Sequence, residues 1–160
     1  MHTATSHTIV RAATAETLAD GPTSTITLLA DGEHTAGATT INRAHLALGS
    51  PGAPAHRHEH ATETIFVIDG SLDVLIDDEV HTLTAGDLVF IDSGTAHAFA
   101  PTTGSTADLL AIYTPGQERF AYYRMLQQLH LGEITLPELQ ATSDRFDNHY
   151  VDSPVWRARD

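Results

Sequence analysis

The sequence predicts an all-β domain, an antiparallel sandwich or barrel with one or two α-helices after it. Short runs of β-branched and aliphatic residues recur between positions 24 and 114, and turn signals separate them. A helical spacing of apolar residues appears only beyond Pro115-Gly116. Many short strands at even spacing, with no helical period between them, are typical of β-sandwiches and β-barrels.

A chain of 160 residues is long enough to bury one core and too short for two ordinary domains. We therefore expect a single domain in three parts. These are an N-terminal arm (1–22), a β-barrel (23–115) and a C-terminal helical extension (116–160).

Eight segments carry the predicted strands. They are STITLLA (24–30), ATTINRAHLAL (38–48), TIFVID (64–69), SLDVLID (71–77), HTLT (81–84), DLVFID (87–92), HAFA (97–100) and DLLAIYT (108–114). The dipeptide Asp69-Gly70 lies between two of these runs, and such dipeptides favour tight turns. The sequence therefore predicts that the chain reverses there.

Two helices are predicted in the extension. The first covers Gln117 to His130, where Phe120, Tyr123, Leu126 and Leu129 form an apolar stripe. The second begins at the capping-box pattern Thr135 to Glu138 and runs to about Arg145. We expect both to pack on the outside of the barrel; alternatively they cover its mouth or form part of a dimer interface.

Composition narrows the classes of function. The formal net charge of −13 gives no basic surface for phosphates, so we expect neither nucleic acid nor an anionic membrane as partner. No apolar stretch reaches the roughly 20 residues that span a bilayer, which favours a cytoplasmic location. Because the chain has no cysteine, a metal site must use imidazole, carboxylate and water.

The stretch AHRHEHATETIFVIDG (55–70) carries the candidate metal ligands. Residues two apart in a strand point to the same face, so His56 and His58 can direct two imidazoles to one point. His60 continues this pattern and could replace His56. A carboxylate follows at Glu63, and His97 opens a strand after a Ser-Gly turn.

Two motifs here resemble those of the cupin superfamily. The first is His56-x-His58, Glu63 and Gly70, and the second is Gly86, Asp92-x-Gly94 and His97. Fifteen residues separate the motifs, as in compact single-domain cupins. Asp92 stands where the second motif usually has proline, and Pro101 stands where it ends in asparagine. Neither departure removes a ligand.

The resemblance implies a double-stranded β-helix, the cupin or jelly-roll barrel, with a divalent metal on His56, His58, Glu63 and His97. The family spacing leaves His60 as a neighbour at the pocket rim. Such ligands suit Ni, Fe, Mn or Co, while Zn and Cu are also possible. Single cupins commonly form homodimers, so the resemblance also implies a homodimer.

The tail FAYYRMLQQLHLGEITLPELQATSDRFDNHY (120–150) is similar to that of single-cupin proteins of the quercetin 2,3-dioxygenase type. This resemblance implies a metal-dependent oxidoreductase that cleaves a flavonol or related polyphenol with dioxygen. Glu63 would accept the substrate hydroxyl proton as the catalytic base. Strand alternation indicates Ile65, Val67 and Phe99, together with His60, as candidate pocket residues for an aromatic small molecule. An ordinary barrel core explains the three apolar residues equally well.

Two other functions are compatible with the same residues. One is a polyketide cyclase or isomerase that acts on a small oxygenated substrate without dioxygen. The other is a non-catalytic cupin that binds a metal and a ligand. Dioxygen dependence separates the first from the dioxygenase, and a lack of product separates the second.

Overall fold

The computed structural model describes residues 7–159, so the first six residues of the predicted arm and the last residue of the extension lie outside it. The described strands are β1 (Thr17–Ala19), β2 (Ser24–Ala30), β3 (Thr40–Leu46), β4 (Ala53–Arg57), β5 (Thr62–Ile76), β6 (Glu79–Thr84), β7 (Leu88–Ile91), β8 (His97–Pro101), β9 (Ala107–Thr114) and β10 (His149–Tyr150). All pair antiparallel. The predicted β class is confirmed.

The strands form a curled sheet that closes as a half-barrel. Their order is β1-β2-β3-β9-β5-β8-β4-β10, and both β6 and β7 also pair with β5. Buried residues alternate with half-buried ones along β9, as expected for a sheet whose two faces differ in burial. The inward residues of β5 and β9, among them Ile65, Val67 and Leu109, form the main core.

The predicted turn at Asp69-Gly70 is wrong, because β5 runs through it without reversing. The strand instead changes partners there, from β7 and β9 before Gly70 to β6 and β8 after it. Gly70 has a φ of 80°, and a Cβ at this position would lie 2.0 Å from the Thr106 carbonyl oxygen. Glycine thus allows a bend, with a register shift between Val67 and Asp69, in place of a hairpin.

The tail contains four short helices where two were predicted. They are α1 (Arg119–His130), α2 (Leu136–Gln140), α3 (Ser143–Phe146) and α4 (Pro154–Arg157). The predicted second helix is interrupted after Gln140, so α2 and α3 are separate. No helix in the described part of the chain has the length and hydropathy needed to cross a bilayer.

The tail packs on the sheet through a second apolar core. Phe120, Tyr122 and Tyr123 of α1 meet Leu18 and Ile26 of the first two strands. The same cluster includes Leu139 and Phe146 from the next two helices. At the other side, β10 pairs with β4, placing His149 opposite Arg57. The extension is therefore built into the sheet at one of its ends.

A buried carboxylate joins the sheet to the start of α1. Asp31 is 4 % exposed, and its two oxygens accept hydrogen bonds from the backbone N–H of Arg119 (3.0 Å) and Phe120 (3.1 Å). Its Oδ1 also accepts from the Thr40 hydroxyl at 3.2 Å. An anion at a helix N-terminus satisfies free N–H groups and is favoured by the helix dipole.

We predict that Asp31→Ala lowers the free energy of unfolding by about 2 kcal/mol, because it leaves buried donors without an acceptor. Urea denaturation followed by circular dichroism would measure the loss. Asp78→Ala is the matched control, since Asp78 is exposed in the β5–β6 turn. Equal stability of the two variants would contradict the role given to Asp31.

Candidate metal centre

Strand register brings the candidate ligands together. His56 in β4 lies opposite His97 in β8, and the neighbouring strand β5 contributes Glu63. His58 lies one residue beyond the end of β4, and its carbonyl oxygen accepts a hydrogen bond from Gly94 N–H in the turn before β8. Three segments thus direct side chains into one point of the barrel, and the third of them follows about 34 residues after Glu63.

The four side chains form a compact, buried group. Their candidate ligand atoms all lie within 4.8 Å of one another. Oε2 of Glu63 lies 3.0 Å from His58 Nε2 and 2.7 Å from His97 Nε2. The residues are between 1 % and 5 % exposed. Bulk water is therefore largely kept from the group.

Each imidazole is oriented by a backbone carbonyl. The Nδ1–H groups of His56, His58 and His97 donate to the carbonyl oxygens of Pro54 (2.7 Å), Asp147 (2.6 Å) and Thr95 (2.9 Å). This arrangement fixes the tautomer and leaves each Nε2 free to face the centre. Metal-binding histidines in proteins are held in the same way.

The electrostatics favour a neutral His56 and an ionised Glu63, the forms that bind a metal, whereas His97 holds its proton more tightly. Burial lowers the pKa of His56 well below its usual value, and the charges of His97 and His58 lower it further. Burial acts to raise the pKa of Glu63, but hydrogen bonds from His58 and His97 outweigh it and leave that pKa well below normal. Burial likewise acts to lower the pKa of His97, but its hydrogen bond to Glu63 leaves the pKa raised. A bound cation would replace the proton that His97 shares with Glu63.

The donor set therefore suits a divalent metal ion. Two ligands bound at about 2.1 Å and at right angles to each other lie about 3.0 Å apart, which is close to the contacts of Glu63 Oε2. Three neutral imidazoles and one carboxylate leave a site charge of about +1 with a divalent ion. These donors fit Ni, Fe, Mn, Co, Zn or Cu and do not select one of them.

A tyrosine holds the other oxygen of the carboxylate. Tyr113, opposite Glu63 in the β5–β9 pair, donates from its hydroxyl to Glu63 Oε1 at 3.1 Å. The Tyr123 hydroxyl lies 3.1 Å from that of Tyr113 and 2.8 Å from Asn42 Oδ1. Burial, followed by the charge of Glu63, raises the pKa of Tyr113 well above normal, so the hydroxyl stays protonated. The burial pattern of β9 places Tyr113 on the inner face. Because residues two apart in a strand share a face, the predicted strand 108–114 groups Tyr113 with Leu109 and Ala111.

Asp147 holds the loop that follows His58. Its carboxylate accepts the backbone N–H groups of Glu59 (2.6 Å), His60 (3.0 Å) and Ala61 (3.1 Å), while its carbonyl accepts from His58. Burial acts to raise the pKa of Asp147, but these bonds and one from the Gln117 amide outweigh it and lower the pKa. Asp147 has a φ of 51°, a conformation that Asp and Asn adopt more readily than most residues. No local sequence signal pairs it with a loop 86 residues away.

A cavity of about 440 Å³ lies between the sheet and the tail helices and reaches His56. Its walls are mostly apolar or aromatic, with Phe99, Tyr122 and Leu126 among them. This volume is in the range of small-molecule sites. The cavity therefore gives an organic ligand a route to the buried side chains.

The predicted pocket residues occupy different places. Phe99 lines the cavity. Ile65 and Val67 do not; both are fully buried in the main core, on the inward face of β5. His60 is exposed in the loop after β4. Its backbone N–H donates a hydrogen bond to the Asp147 carboxylate.

Comparison with known proteins gives a match to one family model. Residues 42–113 match the model described as the cupin domain, and this region contains all four candidate ligands. The match agrees with the curled antiparallel sheet of the structure. No curated protein is a significant match to the sequence.

Solved cupin structures share the fold at low sequence identity. An RmlC-like cupin from Shewanella frigidimarina is 20 % identical, with a TM-score of 0.62 over 72 % of this chain and 96 % of its own. The polyketide cyclase RemF from Streptomyces resistomycificus is 19 % identical, with a TM-score of 0.56 over 67 % and 78 %. A predicted oxalate decarboxylase from Thermotoga maritima is 22 % identical, with a TM-score of 0.58 over 66 % and 97 %. At these identities the likeness concerns the fold.

We predict that alanine at His56, His58, Glu63 or His97 abolishes binding of a single divalent ion per chain, because each change removes a donor atom from the group. Elemental analysis of purified, metal-supplemented protein would measure the content. His60→Ala is the matched control and should keep its metal. Metal loss in that variant, with retention in His56→Ala, would instead support the alternative ligand pair.

We also predict that Asp147→Asn weakens metal binding about tenfold or more, because it disturbs the loop and carbonyl that orient His58. Competition with a fluorescent chelator would give the affinity. Asp144→Asn removes the same charge from a fully exposed side chain three residues earlier and should have no effect. Unchanged affinity in a folded Asp147→Asn protein would refute this positioning role.

Proposed function

We propose that this protein is a metal-dependent dioxygenase that cleaves a flavonol or related polyphenol. The observation that carries the proposal is a buried His-His-Glu-His group at the end of a largely apolar, aromatic cavity. A divalent ion held there would act as a Lewis acid toward a substrate oxygen and, if redox-active, toward dioxygen. Flat aromatic substrates match walls that include Phe99, Tyr122 and Tyr150.

The chain's own residues supply the proton chemistry. The lowered pKa of Glu63 favours its ionised form, so this buried carboxylate would accept the proton of a phenol or enol hydroxyl bound beside it. Tyr113 donates to Glu63 Oε1 and thereby stabilises the carboxylate while holding its orientation. The burial of both groups excludes water from the reacting centre, which favours reaction of the deprotonated substrate over hydrolysis of its products.

A dioxygen-independent cyclisation or isomerisation is the second candidate. The observation in its favour is the pairing of a buried base, Glu63, with a protonated acid, Tyr113, at 3.1 Å. Such a pair can move protons between two positions of a substrate without any redox step. RemF, which has the same fold, is described as a polyketide cyclase.

An oxygen-uptake experiment separates the two candidates. Protein loaded in turn with Ni, Fe, Mn or Co is mixed with quercetin and related flavonols in an oxygen electrode, and products are identified by mass spectrometry. The dioxygenase consumes one dioxygen per substrate and gives a ring-opened product, with no turnover under anaerobic conditions. Undiminished anaerobic turnover would refute it in favour of the second candidate, and saturable binding without product would support the non-catalytic alternative.

We predict that Tyr113→Phe keeps its metal and loses about tenfold in kcat, since it removes one hydrogen bond to a charged group. Steady-state kinetics with parallel elemental analysis would measure both quantities. Thr17→Val is the control, since it removes an exposed hydroxyl that contacts Thr27 and does not line the cavity. Equal rates for the two variants would contradict the role of Tyr113.

A further inference from the structure

The cavity wall contains a buried cation that no carboxylate pairs with. Arg119 is 2 % exposed and lines the same cavity as His56. Within residues 7–159, the arginines that form ion pairs within 4.0 Å do not include Arg119. Buried arginines are normally paired with an anion, because an isolated charge is costly to remove from water. The missing anion is the first indication of a ligand.

Among residues 7–159, the hydrogen-bond acceptors of the guanidinium are all neutral. Its Nε–H donates to the Tyr123 hydroxyl (3.3 Å), and its terminal nitrogens donate to Phe146 O (3.2 Å) and Asn148 Oδ1 (3.3 Å). These are three long bonds for a group that has five N–H donors. The group therefore retains donor capacity in a place that water does not reach freely.

A second buried donor lies beside it. Asn148 is 3 % exposed and lines the cavity, and its Nδ2 has no hydrogen-bond partner. Its Oδ1 is already engaged by Arg119, so the amide group is oriented with its donor side unpaired. A buried, unpaired N–H₂ group normally has an acceptor in the functional state. Arg119 and Asn148 are thus adjacent donors that both lack an acceptor, and together they define a site for an anionic oxygen group.

Aromatic rings keep the guanidinium at this position. Its central carbon lies 4.3 Å from the centre of the Tyr113 ring and 5.0 Å from that of Tyr122. Stacking of this kind favours a planar cation and restrains its orientation. Because the Tyr113 hydroxyl contacts Glu63, a single aromatic side chain separates the cation from the candidate metal ligands. The anion site and the metal centre thus border one cavity.

Asp20 is the one carboxylate among the described residues lining this cavity, and it forms no ion pair with Arg119. Burial raises the pKa of Asp20, although the charge of His130 opposes the shift, so its neutral form is favoured there. Asp20 therefore does not neutralise the positive charge of Arg119.

We propose that the cavity binds an aromatic carboxylate, whose carboxylate group pairs with Arg119 and Asn148 while a hydroxyl at the far end of the ring faces His56. The orientation of the hydroxyl rests on the proposed function; the anion site does not. A charge-assisted pair with arginine explains why a buried cation is kept in an apolar wall, and planar carboxylates match its fork of donors. The mostly apolar lining selects an aromatic body for the ligand.

A matched pair of fluorescent probes tests this proposal. Zn-loaded protein is titrated with 6-hydroxy-2-naphthoate and with the neutral 6-hydroxy-2-naphthamide, which has the same shape. We expect the acid to bind about tenfold or more tightly than the amide. Equal affinities, or no binding of the acid, would overturn the proposal without reference to any variant.

Asn148→Asp supplies an internal anion next to Arg119 and should remove the preference for the acid while keeping or raising the melting temperature. Gln128→Glu adds the same charge on the exposed side of α1 and should leave the preference intact. Retained preference in Asn148→Asp would place the carboxylate elsewhere, for example at the metal, and would overturn the assignment. Oxygen uptake is measured in a separate experiment. A negative result for dioxygenase activity therefore does not change the interpretation of the binding data.

Discussion

The hydrogen bonds between Asp147 and the loop after β4 are the interaction on which the geometry of the candidate metal centre depends most. His58 lies beyond the end of its strand, so its ring is not oriented by paired strand residues on both sides. The Asp147 carbonyl fixes that ring and the Asp147 carboxylate fixes the next three residues. One residue of the tail therefore controls both the direction of a candidate ligand and the path of the chain from His58 to Glu63.

A hydrogen-bond network explains why so many polar groups can be buried here. It joins His58, His97 and Glu63 to Tyr113, Tyr123 and Asn42. In a medium of low dielectric constant, such a network is stabilising when complete and costly when one member is lost. Arg119 joins this network by donating a hydrogen bond to the Tyr123 hydroxyl. The side chains of Tyr123 and Tyr113 therefore connect the Arg119 guanidinium to the Glu63 carboxylate of the candidate metal centre.

The sequence allowed the β class and the grouping of the candidate ligands to be predicted, because both depend on local patterns. Runs of β-branched and aliphatic residues identify strands such as β9, and the resemblance of two motifs to those of cupins relates His56, His58 and Glu63 to His97. The bend at Gly70 was missed because Asp-Gly also favours hairpins, and only the close approach of Thr106 decides between the two. Asp147 and Arg119 were missed because their roles arise from the packing of the tail, 89 residues beyond His58 in one case.

Arg119 and Tyr123 do carry a faint signal, since they stand four residues apart on the helix stripe that packs inward. An arginine at such a position is usually read as the exposed edge of the stripe. Its full burial follows from α3 and the residues after it, which close over the guanidinium with Phe146 O and Asn148. No pattern within α1 itself could have indicated that closure.

The two ends of the strand order have a consequence for association between chains. The path ends in β1, with three residues, and β10, with two. Strands this short offer few free N–H and C=O groups, and short edges are a means by which proteins avoid joining sheet to sheet. Because β10 pairs with His56 and Arg57 of β4, the tail that supports the candidate metal centre also occupies that part of the β4 edge. A change that displaces the tail from β4 would then cause both loss of the site and aggregation.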